Sequence, residues 1–313
     1  MKTLFYNLYI VLFSMNLLSC NNEDGFTGIV DNKPHGGFSS PLWSNTDIIM
    51  FGHTPINENG QFNLDSSGWY YVEPTDRKTF KKFFFTGEYG IFDDFIWSND
   101  SKWIVAEKDG QIFKLSFPLD KIIQLTNDSL RKFFPSWSPD GSSIVYIYDD
   151  GPFESRGLYI ISSQGGKGSL LKNINKDKPS GVEPVWSPNG STIAFVGYRD
   201  YYGFAELCLL DTTSSAVKNI VVSESVIFHP RFSVDGKKIV FAMRPSQSGQ
   251  LQIWSVNIDG TNLRQITVNG GLEPAWSPDG SSIIYTKSSP NQGEDGTLWI
   301  ISENGSNDHL FIN

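Results

Sequence analysis

The chain has 313 residues and a formal net charge of −9, with no basic run, which excludes a nucleic-acid partner because phosphate binding takes clustered Lys and Arg. Aromatic residues make up 14%, Gly and Pro number 29 and 16, and only 19% of residues are charged. That mixture points to an all-β protein of many short strands, and the length to one large or two ordinary domains.

Residues 1–19 have the pattern of a secretory signal. Lys2 supplies a basic start, Leu4 to Leu18 an apolar run too short to span a membrane, and Ser19 a small residue before Cys20. Leu17-Leu18-Ser19-Cys20 resembles the bacterial lipobox, which implies lipidation of Cys20 and a membrane anchor. Asn21-Asn22-Glu23-Asp24 resembles the surface-export tract of some Bacteroidetes lipoproteins and serves equally as a solvated tether, here residues 20–36. With Cys20 lipidated, Cys208 has no disulfide partner. Its place in the apolar run Gly203–Asp211 makes it a small buried hydrophobe.

From residue 37 onward one pattern recurs. Aligned on their aromatic, the copies are Pro-Leu-Trp43-Ser, Phe-Ile-Trp97-Ser, Pro-Ser-Trp137-Ser, Pro-Val-Trp186-Ser, Pro-Arg-Phe232-Ser and Pro-Ala-Trp276-Ser, at steps of 54, 40, 49, 46 and 44 residues. In each unit a short strand ends on the aromatic and Ser. A tight turn follows, as in Ser138-Pro139-Asp140-Gly141, where Pro presets φ and Gly supplies the left-handed residue. An apolar strand comes next, such as Ile144-Val145-Tyr146. After a variable loop there is a third strand (Leu158–Ile161) and a short fourth, exemplified by Leu125-Thr126, Ile266-Thr267 and Leu310–Ile312. The first two units lack the Pro and Gly of the turn. Four antiparallel strands per unit make a propeller blade, so residues 37–313 are expected to form a six-bladed β-propeller, with the first-strand aromatics packed between blades. Ring closure would join blade six to blade one, with Gly28-Ile29-Val30 as a candidate helper.

The repeated Pro-x-Trp-Ser-Pro-Asp-Gly, apolar strand and Leu-Thr end resemble the TolB-type, WD-like propeller repeat over roughly Gly37 to Asn313. TolB proteins carry an additional α/β domain before the propeller, for which residues 21–36 leave no room. The resemblance therefore implies the fold more than TolB's own role.

No Gly-x-Ser-x-Gly, His-Glu-x-x-His or Cys-x-x-Cys occurs, and Gly165–Ser169 lacks phosphate-loop spacing. The residue two before each first-strand Trp-preceding position, that is, just before Pro (or Phe95 in blade two), is Ser40, Asp94, Phe134, Glu183, His229 or Glu273. First strands line a propeller's channel, so these six would form one ring. Asp94, Glu183, His229 and Glu273 are the candidate ligand-binding residues. They could hold a divalent cation, a cationic or hydroxyl-rich ligand, do acid–base work, or simply wet the channel. Some propeller lyases acting on oligogalacturonate hold an axial metal with His and Gln, a set that one axial His matches poorly. No other cofactor is expected. A second candidate is the loop of blade four, where Tyr198, Arg199, Tyr201, Tyr202 and Phe204 would offer an interaction rim. His35, His53 and His309 are expected at the surface.

These features lead to an expected lipid-anchored propeller of a bacterial envelope, a non-enzymatic scaffold binding a protein or a glycan. The alternative is a lyase or hydrolase acting on extracellular polysaccharide through the axial residues. A third expectation is an accessory subunit of a larger outer-membrane complex.

Overall fold

The computed structural model describes residues 37–57, 59, 61–149, 157–173, 180–198, 204–246, 249–287 and 296–312. The expected signal, Cys20, the tether and Gly28-Ile29-Val30 lie outside them. Within the described residues, each run of four consecutive strands forms one antiparallel sheet, and six such sheets follow one another along the chain. Blade three is representative, with strands Arg131–Trp137, Ser143–Asp149, Gly157–Ser162 and Ser169–Asn173. The first strands touch their neighbours in a closed cycle, blade one meeting both blade two and blade six. They are thus the innermost strands, and the six-bladed β-propeller closes.

The second strands show why a lone blade would fail. Ile144, Val145, Tyr146 and Ile147 are all buried. Side chains alternate across a strand, so both faces must be covered. Ile144 and Tyr146 pack on blade two, while Val145 and Ile147 pack on blade four. Six core clusters result, one per seam between consecutive blades, including the seam between blades six and one. Each first-strand aromatic lies in the seam with the preceding blade: Trp43, Trp97, Trp137, Trp186, Phe232 and Trp276.

The Ser-Pro-Asp-Gly turns are held by their own side chains. The Ser138 hydroxyl donates to Asp140 Oδ1 at 2.6 Å and accepts the Ser143 N–H at 3.0 Å. Gly141 takes φ 71°, which a Cβ would resist. Blade two keeps the same wiring without Pro or Gly, since Ser98 donates to Asp100 Oδ1 at 2.7 Å and Ser101 takes φ 56°.

Two details differ from the sequence expectation. The fourth strands of blades two and five are Ile122–Gln124 and Arg264–Gln265, stopping just before Leu125-Thr126 and Ile266-Thr267. There the backbone keeps one bond of the pair, from the Leu125 N–H to the Ile112 carbonyl and from the Ile266 N–H to the Ile253 carbonyl, both at 2.8 Å. The Thr side chain takes the other, Thr126 Oγ1 accepting the Ile112 N–H and Thr267 Oγ1 the Ile253 N–H, both at 2.9 Å. His53 is half-buried rather than free at the surface. Its ring stacks on Phe38 at 4.2 Å, and burial lowers its pKa despite a hydrogen bond with the Gly37 carbonyl. His309 is exposed and Cys208 is buried, as expected. The Gly165 N–H donates to the Ser162 carbonyl at 2.8 Å and closes the turn between the third and fourth strands of blade three. Among the described residues no helix is long and apolar enough to cross a membrane.

Antiparallel order gives the ring two distinct faces. The turn face carries the Ser-Pro-Asp-Gly turns and the turns between third and fourth strands. The loop face carries the loops between second and third strands and the crossings from blade to blade.

Candidate functional site

The six positions read as an axial ring share one backbone conformation. Ser40, Asp94, Phe134, Glu183, His229 and Glu273 have φ of 50°, 56°, 52°, 55°, 54° and 52°. Each sits where the pairing of first and second strand slips by a β-bulge. A left-handed L-residue costs about 1–2 kcal/mol, which glycine would avoid, yet none of the six is glycine. A side chain is therefore wanted there.

Three of those side chains reach across a seam. Glu273 Oε2 accepts the Ser40 N–H at 2.6 Å and the Thr286 hydroxyl at 2.8 Å, and Glu273 Oε1 accepts the Ser40 hydroxyl at 2.9 Å. Asp94 Oδ2 accepts the Phe134 N–H at 3.1 Å. Glu183 Oε2 accepts the His229 N–H, and its other oxygen lies 3.9 Å from His229 Nε2. The acids stand on blades two, four and six, and each binds the bulge of the following blade. The ring is thereby tied in three pairs, with blade six tied to blade one. His229 Nδ1 has no hydrogen-bond partner among the described residues.

Electrostatics single out blade two. Burial raises the Asp94 pKa well above the usual carboxylate value, and the charges of Asp93 and Glu107 raise it further against the lowering effect of the Phe134 N–H. Asp93 lies directly across the ladder from Glu107. Burial pushes Glu107 up to about 7, opposed by a hydrogen bond from the Gly110 N–H and reinforced by Asp93. Asp93 and Glu107 were not among the residues picked from sequence. The acid adjoining Asp94 was a visible signal, whereas Glu107 joins only through strand register. Glu107 can therefore exchange a proton near neutral pH. Among the described residues, however, no three His, Cys, Asp or Glu side chains group so as to hold a metal ion.

Of the candidate rim, Arg199, Tyr201 and Tyr202 lie outside the described residues. Tyr198 packs onto the core between blades four and five and donates its hydroxyl to the Ile227 carbonyl at 3.4 Å. Burial, with the Glu183 charge, raises its pKa. Tyr198 thus folds back on its blade, and Phe204 is half-buried just before the third strand, Ala205–Asp211.

Residues 154–308 match the TolB beta propeller domain family. Over those residues the propeller is of the TolB type. It is 28% identical over 219 residues to the Tol-Pal system protein TolB of Francisella tularensis, an alignment covering 67% of this chain and 48% of that protein. The chain thus spans about half the length of the TolB relatives it matches. TolB from Acinetobacter baumannii superposes with a TM-score of 0.61 at 20% identity, covering 86% of this chain and 62% of that one. An oligogalacturonate lyase solved with manganese shares the fold at a TM-score of 0.58 and 14% identity, covering 88% of this chain and 77% of the lyase. At those identities the two structures speak for the fold of the TolB-type propeller alone.

Proposed function

We propose that this TolB-type propeller is a non-catalytic scaffold of a bacterial cell envelope, anchored through lipid at Cys20 and presenting its loop face to a protein partner. The observation that carries the reading is the use of the axial carboxylates. Asp94, Glu183 and Glu273 are each engaged by the next blade's bulge, so their placement serves the rigidity of the ring. A rigid ring with variable loops suits recognition, because a preordered surface loses little entropy on binding. The similarity to a Tol-Pal system protein supports an envelope setting. A glycan on the loop face is the second partner class the reading allows.

The test is site-specific photo-crosslinking in the native bacterium, from Phe204 and Ile91 toward the loop face and from Val234 on the turn face as control. A single protein adduct from the first two and none from the third is the expected outcome. Adducts that do not depend on face would refute it. The enzymatic alternative predicts turnover of oligogalacturonate with added Mn²⁺, lost in Glu183→Gln. The scaffold reading expects none.

A further inference from the structure

On the turn face, a groove of ≈ 410 Å³ opens between blades two and three, lined among others by Trp103, Lys114, Trp137, Asp100, Asp140 and Gln164. The volume is that of a small-molecule site. Lys114 is only 6% exposed, yet it has no ion pair among the described residues. Its ammonium donates to the Ser163 carbonyl at 2.6 Å and lies 4.9 Å from the centre of the Trp103 ring. An ammonium has three donors and a buried charge is costly unless its donors are met, so this lysine has capacity left over. Burial accordingly lowers its pKa. The Trp137 indole N–H also finds no acceptor among the described residues.

The propeller contains its own control. The same groove between blades four and five measures ≈ 340 Å³. By strand register Leu209 stands there for Lys114, Thr192 for Trp103, Phe232 for Trp137 and Ile258 for Ser163. In the remaining blades the position of Lys114 is Tyr71, Ile160, Ser255 or Ile300. None carries a charge. The repeat folds without a lysine there, so blade packing does not demand Lys114.

We propose that the groove between blades two and three binds a neutral hydroxylated ring, a sugar residue. Trp103, with the Lys114 ammonium over its ring, sets apolar surface beside donors (Lys114, Gln164) and acceptors (Asp100, Asp140, Gln164), as a ring bearing vicinal hydroxyls requires. Two carboxylates against one ammonium disfavour an anion. The site lies on the face opposite the loops, and it stands or falls independently of the proposed scaffold function.

Titration calorimetry on the full chain tests it, with cellobiose and chitobiose as neutral probes and glucuronate as the acidic one. A saturable response to a neutral disaccharide is expected, weakened at least about tenfold in Lys114→Leu and in Trp103→Thr. Both substitutions copy residues around which the sister groove already folds. In the unaltered chain, the Trp103 indole N–H resonance should shift with the same saturation curve, a readout that needs no variant. No saturable response to either neutral probe would overturn the proposal. So would binding of glucuronate alone, or affinities unchanged in both variants with the Trp103 resonance unmoved.

Discussion

At the scale of single residues, the axial acids act as fasteners between blades. Glu273 satisfies two donors on Ser40 and one on Thr286. Glu273→Ala should therefore lower the unfolding free energy by about 2–4 kcal/mol in urea denaturation, and Glu273→Gln by less, since one oxygen still accepts. Glu107 makes a pH prediction. Its pKa is about 7 folded against an ordinary 4.5, so the folded chain holds that proton more tightly. Folding must then weaken as pH rises from about 4.5 to 7, with the loss complete above that window. Asp93, Asp109, Arg131 and the Gly110 N–H act on this group, and Asp93 and Asp109 make the ionised form costlier. Glu107→Gln should raise stability at pH 8 by about 1 kcal/mol, discounted for its partial contact with water, and the gain should vanish near pH 4.5 in melting curves.

Individual turns show what the repeat needs and what it tolerates. Gly141 has open space where a Cβ would go, so Gly141→Ala tests backbone conformation alone and should cost about 1 kcal/mol. Blade two places Ser101 at the corresponding left-handed position, and the buried Ser101 hydroxyl has no hydrogen-bond partner among the described residues. Ser101→Gly removes both penalties and should stabilise by about 1 kcal/mol, read as a higher melting midpoint. These turns were legible in the sequence because Ser, Asp and Gly have local reasons to be there. The fourth strands were harder to place. Thr126 and Thr267 take over ladder bonds with a side chain, and nothing in a Leu-Thr pair distinguishes that from continued pairing.

For the whole ring, six seams around a closed cycle leave no blade able to detach alone. Phe51 lies in the seam that closes the ring and Phe241 in the seam between blades four and five, both fully buried. Phe51→Ala and Phe241→Ala should each cost about 3–5 kcal/mol. If closure makes the ring one cooperative unit, both should shift a single transition seen alike by circular dichroism and Trp fluorescence. Separate transitions would show that the blades unfold independently. At the seam between blades five and six, Glu303 receives both Lys238 at 2.8 Å and Arg264 at 2.7 Å, a further tie across the same ring.

The repeat alone determined the blade count, the turn chemistry and the place of each aromatic between blades. Those features depend on residues near one another in the chain and recur in phase, so periodicity exposes them. It also placed the six bulge residues at one level, because each precedes a fixed Pro or Phe. Only the tertiary structure decided what those side chains do. The partner of Asp94 is 40 residues away at Phe134, and that of Glu273 lies 233 residues back at Ser40. The cluster of Asp93, Asp94 and Glu107 and the charged groove around Lys114 have the same origin. Both come from register and from the apposition of neighbouring blades, and a carboxylate's pKa or an ammonium's spare donors depend on what closure brings within a few ångströms.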